Sequence, residues 1–266
     1  MNELLTAVQQ HYSTRPILPL ILEQLRRQGI AAEQARPEDL YPYDQSHAGG
    51  TAAIRMLAER AAIQPGSLVV DIGCGYGSAS RLLHDERACR VVGVDLTPSR
   101  IEIAVELTRM VRFHSGVNFV VGSAMSLPLA SSIADFVWTQ HVTMNVPDHA
   151  ALIQECARVL RPTGCLASHE WLRRGSGEPA FPLPWAYTAA LNHAIEESRF
   201  LTLLKENKFD PDVEEVTEAM RDALFEDANR LEAQNHPPER IAALRNLVRA
   251  ATDGLFGCFM IVARRC

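Results

Sequence analysis

The sequence of 266 residues lacks the features that mark several classes of protein. Basic residues are not in excess, since 26 Lys and Arg stand against 32 Asp and Glu for a net charge of -6. This balance argues against nucleic acid as an obligatory partner. No run of eighteen apolar residues occurs, and no basic segment precedes an apolar stretch at the N-terminus. Both absences argue against a membrane span and a secretion signal.

The cysteines show no pattern typical of metal binding or disulfide bonding. No C-x-x-C pair and no histidine at zinc-finger spacing accompanies the six of them, which are Cys74, Cys89, Cys156, Cys165, Cys258 and Cys266. We therefore predict reduced thiols in a cytoplasmic protein and no bound metal, unless residues distant in the sequence converge. The apolar N-terminal helices predicted below are a possible contact between two copies in a homodimer.

The hydrophobic pattern predicts one large α/β domain with additions at both ends. Hydrophobic residues make up 47% of the chain, and residues 66–170 alternate between apolar strands and helices. Such alternation predicts a mostly parallel sheet with helices on both faces. The predicted strands are residues 67–72, 90–95, 117–121, 134–140 and 165–171, followed by 212–217 and 256–264, seven in all. The predicted helices between the first five strands are residues 78–85, 99–112 and 148–160, the last ended by a turn at 161–164.

The flanking segments are predicted to form a cap on this core. Residues 1–65 contain two predicted helices, at 2–12 and 17–28. Residues 171–254 are predicted to form a substrate lid with the remaining core elements, and residues 255–266 the last core strand. Three prolines and two glycines in residues 173–188 are typical of a loop. Beyond it we predict helices at 189–206 and 218–249, the second interrupted near residues 236–238.

The strongest local signal is the segment VVDIGCGYG at residues 69–77, in which an apolar strand leads into three alternating glycines and a helix. Glycine permits tight turns and close approach of a ligand. A dinucleotide fingerprint G-x-G-x-x-G needs its third glycine where Ser78 stands, so the pattern departs from that of NAD-binding proteins. Asp71, at the strand end, is predicted to accept hydrogen bonds from a ligand amino group or from loop amides.

Asp95 ends the next predicted strand, 22 positions after Gly73. At this place in nucleotide-binding sheets, a carboxylate accepts hydrogen bonds from both ribose hydroxyls. Capping of the following helix is the alternative role, although Thr97 and Ser99 are also able to supply that cap. We expect Asp95 to bind a ribose.

Five segments in consistent order resemble the motifs of class I S-adenosylmethionine-dependent methyltransferases of the small-molecule type, such as methyltransferase type 11. They are DIGCGYG (71–77), GVDLTP (93–98), GSAMSLP (122–128), ADFVWTQHVTMNVPD (134–148) and RVLRPTG (158–164). YDQSHAGG (43–50) and FPLPWA (181–186) also resemble bacterial methyltransferases of the sarcosine and dimethylglycine group. The resemblance implies a Rossmann-like, doubly wound, mostly parallel seven-stranded sheet with a helical cap. It also implies S-adenosyl-L-methionine as cofactor, S-adenosyl-L-homocysteine as product, and methyl transfer to N, O or C of a small organic metabolite.

The resemblance assigns roles to individual residues. The implied cofactor-binding residues are Asp71, Gly73, Gly75, Asp95, Leu96, Ser123, Ala124, Met125 and Gln140. The first three would hold the methionine part, Asp95 the ribose, and Leu96 with the 123–125 segment the adenine. Ser123 stands where many relatives have an acid, and a neutral hydroxyl should form the weaker hydrogen bond to adenine.

Histidines near the strand ends are the candidates for catalysis. His141 follows the predicted strand 134–140, at the sheet edge where ligands bind, and imidazole normally titrates near pH 6.5. We predict that His141 is a base, with a packing role as the alternative, and that His47 closes over the cofactor. The residues predicted to bind substrate are Tyr43, His169, Glu170 and Trp185.

Two other activities are compatible with the sequence. An enzyme of this fold can keep the cofactor and catalyse a non-methylating reaction such as a cyclisation. A nucleotide-dependent oxidoreductase is the other alternative, although Ser78 argues against it. The expected partner is a small-molecule substrate.

Overall fold

The computed structural model describes Thr6, Gln9 and residues 17–45 and 47–266, and a single seven-stranded sheet forms its centre. The strands are β1 (Leu68–Ile72), β2 (Arg90–Asp95), β3 (Val117–Val121), β4 (Ala134–Gln140), β5 (Leu160–Arg173), β6 (Phe209–Glu215) and β7 (Phe256–Arg265). Their order is β3-β2-β1-β4-β5-β7-β6, and every pairing is parallel except the two that β7 makes with β5 and β6. The predicted Rossmann-like, mostly parallel sheet of seven strands is confirmed.

Helices cover both faces of the sheet. They are α1 (Ile17–Arg27), α2 (Pro37–Asp44), α3 (Gly50–Arg60), α4 (Ser78–Arg87), α5 (Pro98–Met110), α6 (His149–Val159), α7 (Glu197–Glu206), α8 (Thr217–Ala233) and α9 (Pro238–Thr252). On one face, α3, α4, α8 and α9 share a buried apolar cluster with the sheet. On the other face, α6 and α7 form a second cluster with it. Two covered faces explain why the central strands are apolar without alternation.

The strand order places a crevice between β1 and β4. The chain moves outward from β1 through β2 to β3, and then returns to the other side of β1 with β4. The connection after β1 leads towards β2, and the connection after β4 leads in the opposite direction, towards β5. The loops that follow the carboxyl ends of β1 and β4 therefore diverge. Ligands of open α/β sheets bind in this kind of crevice.

The N-terminal segment is fixed to this edge of the sheet by buried polar contacts. Arg81 of α4 forms an ion pair of 2.6 Å with Asp44 at the end of α2, and both side chains are fully buried. Gln9 Nε2 donates a hydrogen bond of 2.8 Å to the Leu96 carbonyl oxygen. The predicted helix at residues 2–12 otherwise lies outside the described residues.

The structure differs from the sequence interpretation in five elements. Helices α2 and α3 were not predicted, because α2 is short and contains Pro42 and α3 begins at the second of two adjacent glycines, Gly49 and Gly50. The predicted turn at 161–164 is part of β5, where the pairing with β4 shifts register. The strand predicted at 212–217 is β6, which begins three residues earlier and ends at Glu215.

The helix predicted at 189–206 is the last correction, since only α7, from Glu197, is an α-helix there. The Asn192 side chain accepts hydrogen bonds from the Trp185 indole (2.9 Å) and from the Ala194 amide (3.3 Å). These contacts hold residues 192–196 outside the helix, as asparagine side chains do in turns. The predicted loop at 173–188 contains no α-helix, in agreement with its proline content.

Candidate functional site

A cavity that is partly open to solvent lies at the carboxyl ends of β1, β2 and β4. All nine predicted cofactor-binding residues line it, as do His47 and His141. The structure thus brings together residues from four separate segments, and their binding roles stay predictions.

The glycine loop between β1 and α4 forms one wall of the cavity. Gly73 has a φ of +70°, and a Cβ atom there would lie 2.6 Å from Cγ2 of Val142. Its amide donates a hydrogen bond of 2.7 Å to the Val94 carbonyl oxygen, which fixes the loop against β2. Only glycine satisfies both the backbone angle and the close approach at this position. The loop therefore exposes backbone to the cavity.

Asp95 closes the cavity at the end of β2. One carboxylate oxygen accepts the Thr97 amide at 2.8 Å, and the other accepts the Gly75 amide at 3.0 Å. The Thr97 side chain forms no cap, and Asp95 accepts the amide of Thr97 itself and no amide of the first turn of α5, so helix capping, the alternative role in the sequence interpretation, is not observed for Asp95. Each carboxylate oxygen can accept two hydrogen bonds, so both retain capacity for a ligand. The two bonds to loop amides are thus compatible with ribose binding by the same carboxylate.

Asp71 lies deeper, at the end of β1, and is 2% exposed. One of its carboxylate oxygens accepts a hydrogen bond of 2.5 Å from the Ser80 hydroxyl. Burial raises the pKa of Asp71 to about 7, with a further increase from the charge of Asp95 and an opposing effect from Ser80. A cationic ligand group in the cavity would favour the ionised form of this side chain.

The segment 122–125 lies opposite the glycine loop. Leu96, Ala124 and Met125 provide apolar contact surface on this side. Ser123 Oγ accepts a hydrogen bond of 3.2 Å from the Met125 amide, so the hydroxyl is partly used within its own turn. This agrees with the expectation that Ser123 is a weaker partner for adenine than an acid.

Three histidines with lowered pKa values lie close together at the cavity, where His47 and His141 line it and His169 lies behind them. His141 has a φ of +56°, and its amide donates a hydrogen bond of 2.8 Å to the His169 carbonyl oxygen. Burial lowers the pKa of His47 to about 4 and that of His169 to about 3. The pKa of His141 is lowered well below its ordinary value, first by burial and then by the other two histidines. The ordinary pKa of imidazole, which the sequence interpretation used, therefore does not apply to His141, and its role as a base stays a prediction.

The four residues predicted to bind substrate do not line the cavity. Tyr43 packs with the cluster of α1, α2 and α5, and His169 and Trp185 are buried in the core. Glu170 accepts hydrogen bonds from the amides of Val142 (2.9 Å) and Thr143 (3.1 Å), so it fixes the segment that carries His141. A contact of these four with substrate stays a prediction. Among the described residues, the lining ends at Pro147 and includes none of the predicted lid.

Several lining residues were missed by the sequence reasoning, and these include Asp44, Tyr76, Arg100, Asn145 and Pro147. Asp44 lies within the quoted segment YDQSHAGG, which was a usable signal. Arg100, whose guanidinium carbon is 4.7 Å from the centre of the Tyr76 ring, lies in the first turn after Asp95. Asn145 and Pro147 lie within the fourth motif, but their orientation depends on the turn after β4.

The structure also brings together a group that the sequence reasoning did not find. His141, His169 and Cys258 place one possible ligand atom each within 4.8 Å of one another. Because Cys258 is on β7, far from the motifs in sequence, no local spacing indicates this group. All six cysteines are free thiols, as predicted, and five of them are buried.

Known proteins resemble this chain in sequence over its central part. Residues 70–168 match the family model for a methyltransferase domain. The 2-methyl-6-phytyl-1,4-hydroquinone methyltransferase of Synechocystis sp. is 33% identical over 42% of this chain and 34% of that protein. Methyltransferase GfsG of Streptomyces halstedii is 32% identical over 48% of this chain and 46% of that protein. The chain thus aligns with less than half the length of these two relatives.

Solved structures share the fold over most of the chain. The [4+2]-cyclase SpnF has a TM-score of 0.69 and 24% identity, with 82% of each chain covered. A protein assigned as a sarcosine dimethylglycine methyltransferase from Galdieria sulphuraria has a TM-score of 0.71 and 19% identity, with 81% and 86% covered. Geranyl diphosphate C-methyltransferase from Streptomyces coelicolor A3(2) has a TM-score of 0.69 and 21% identity, with 82% and 76% covered. No helix among the described residues is long and apolar enough to cross a bilayer.

Proposed function

We propose that this protein binds S-adenosylmethionine in the cavity and transfers its methyl group to N, O or C of a small organic acceptor, because residues 70–168 match the family model for a methyltransferase domain. The observation that carries the proposal is the convergence of the glycine loop, Asp71 and Asp95 on one cavity. This set of residues fits the cofactor chemically. When bound, the cofactor supplies a sulfonium whose methyl carbon is electrophilic.

The residues of the chain would hold the two ends of the cofactor. Asp95 retains hydrogen-bonding capacity on both carboxylate oxygens, which suits the two hydroxyls of a ribose. Asp71 supplies a buried carboxylate for the amino group, next to backbone that only glycine leaves open. Leu96, Ala124 and Met125 would contact the adenine, and His47 would close over the cofactor.

The acceptor would bind at the inner end of the cavity, beside His141. We propose that the neutral imidazole of His141 accepts a hydrogen bond from the acceptor and orients it, and that proton removal is a secondary role. Orientation of the nucleophile in line with the methyl group supplies much of the rate in such a reaction. Glu170 supports this role, because it fixes the amides of the two residues that follow His141.

The first experiment measures the affinity for S-adenosylhomocysteine by calorimetry. We expect Asp95→Asn to weaken binding at least tenfold, since the amide nitrogen cannot accept a ribose hydroxyl. Asp222→Asn is the matched control, because Asp222 is exposed on α8 and does not line the cavity. Equal affinities for parent and Asp95→Asn would contradict the ribose assignment.

The acceptor is identified by incubation with methyl-labelled S-adenosylmethionine and fractionated metabolites, followed by mass spectrometry. A labelled product together with S-adenosylhomocysteine is the expected result. Turnover in the His141→Ala variant should fall while cofactor affinity is retained. Unchanged turnover of that variant at saturating acceptor would remove His141 from the reaction.

A cyclisation or another non-methylating reaction is the second candidate. The histidines at the inner end of the cavity are held in the neutral form by burial, which suits a rearrangement without proton transfer. In that case product forms without S-adenosylhomocysteine. The predicted homodimer is a separate proposal, tested by light scattering of the purified protein.

A further inference from the structure

The proposed function uses His141 but neither His169 nor Cys258, two side chains behind the cavity that converge with His141. His169 on β5 and Cys258 on β7 project from the same face of the sheet and are both fully buried. The Sγ atom of Cys258 lies 3.2 Å from Nε2 of His169. His141 completes the group from the cavity side, with its ring centre 4.8 Å from that of His169.

The hydrogen-bond network indicates which nitrogen of His169 faces this group as an acceptor. The Ala48 carbonyl oxygen can only accept, and it lies 3.3 Å from Nδ1 of His47, so that nitrogen carries the hydrogen. The Gln140 amide atom 3.1 Å from the same Nδ1 stands in the Nε2 position, and because two donors do not face each other, we assign the amide the opposite orientation, with its oxygen at this place.

The same amide group of Gln140 lies 3.2 Å from Nδ1 of His169. With its oxygen on that side, Nδ1 of His169 is also a donor, and Nε2 has a free lone pair directed at Cys258. Metal-bound histidines commonly donate their second ring nitrogen to a protein acceptor in this way.

His141 contributes a second available nitrogen. Its Nε2 atom is buried, and the described residues provide no hydrogen-bond partner for it. The left-handed backbone conformation of His141 is unfavourable for a residue with a Cβ, and its amide contact with His169 maintains it. His141 thus keeps an unfavourable backbone conformation, and in this conformation its ring lies beside the pair formed by His169 and Cys258.

We propose that His141, His169 and Cys258 form a binding site for a first-row transition metal ion of borderline softness, with Zn²⁺ as the best match. Tetrahedral zinc with ordinary bond lengths separates its ligand atoms by about 3.4–3.6 Å. In the structure, Sγ of Cys258 lies 3.2 Å from Nε2 of His169, and the three possible ligand atoms all lie within 4.8 Å of one another. An adjustment of about 1 Å is needed, and half-buried His141 has the most room to make it.

The chemistry of the group favours such an ion over Mg²⁺. A thiolate and two neutral imidazoles are soft or borderline ligands, whereas Mg²⁺ prefers oxygen. Binding of the ion would release the thiol proton of Cys258 to the solvent. The hydrogen bond between Cys258 Sγ and His169 Nε2 would then be replaced by one bond from each of these atoms to the metal. Burial opposes this step, since it raises the pKa of the Cys258 thiol well above its ordinary value.

Three protein ligands leave a fourth position, as in catalytic zinc sites. His141 lines the cavity while the other two ligands lie behind it, so this position is reachable from the cavity. A heteroatom of the acceptor would then contact the ion in place of a direct contact with His141. The site itself does not depend on the proposed methyl transfer.

The test is metal binding by the full chain after treatment with a chelator. We expect one Co²⁺ ion per chain, with an absorption band from thiolate-to-cobalt charge transfer, and competition by Zn²⁺ in the same titration. Cys258→Ser should abolish the band. Cys165→Ser is the matched control, because Cys165 is a buried thiol on β5 outside the group.

Two further variants separate a metal site from a structural contact. Gln140→Leu should weaken zinc binding by roughly 10–100-fold, as changes to outer partners of a metal site do. His141→Ala, at the more exposed ligand, should weaken it further and serves if Cys258→Ser fails to fold. Absence of the charge-transfer band in the parent protein would overturn the proposal. Its persistence in Cys258→Ser would do the same and would leave Cys258 as a hydrogen-bond donor to His169 only.

Discussion

We expect the substitution Asp71→Asn to stabilise the free protein at alkaline pH relative to the parent. Burial raises the pKa of Asp71 from 3.8 to about 7 in the folded chain. The folded state therefore binds more protons than the unfolded state between these values, and stability is lost as the pH rises towards 7. Since about pH 5.5 lies roughly 1.5 units below the folded pKa, ionisation of Asp71 removes about 2 kcal/mol of stability by pH 8.5. Asparagine, which does not ionise, avoids this loss.

The assay is urea unfolding of both proteins at about pH 5.5 and pH 8.5, without cofactor. The free energy of unfolding of the parent should fall by about 2 kcal/mol relative to the variant between the two pH values. Exposed Asp222→Asn controls for the change in net charge. A difference between parent and variant that is the same at both pH values would refute the reasoning, because Asp71 would then be ionised throughout the range.

The remaining predictions concern the same wall of the site and its anchor. Affinity for S-adenosylhomocysteine should fall by up to about tenfold per pH unit below 7 as Asp71 takes up a proton, and calorimetry of Asp71→Asn should show no such dependence. Gly73→Ala should cost roughly 1–3 kcal/mol in unfolding experiments and reduce cofactor affinity. Gly66→Ala has a similar φ of +80° but open space around it, so an equal loss of affinity there would exclude crowding as the cause. Asp44→Ala should cost about 3–5 kcal/mol by leaving Arg81 buried without its partner, and addition of Arg81→Met should recover most of this; a double variant as unstable as the single one would contradict this account.

Local sequence patterns predicted the core of the fold and the cofactor side of the site. Each central strand and helix is a short segment that can be recognised from the hydrophobic pattern of its own residues. Strand ends of a parallel sheet meet at one edge, so Asp71 and Asp95 could be placed together from their positions alone. Helices α2 and α3 could not be predicted in this way, because their stability depends on packing such as the buried contact of Asp44 with Arg81.

The sequence by itself therefore determined the doubly wound sheet, the glycine loop and the carboxylates at two strand ends, because these follow from neighbouring residues. Only the tertiary structure decided the protonation of the site. Removal of His141, His169 and Asp71 from water shifts each pKa towards the neutral form, and burial is a property of the whole fold. The tertiary structure alone also placed Cys258 beside His169, 89 positions away in the sequence, because antiparallel pairing of β7 with β5 brings them to one face.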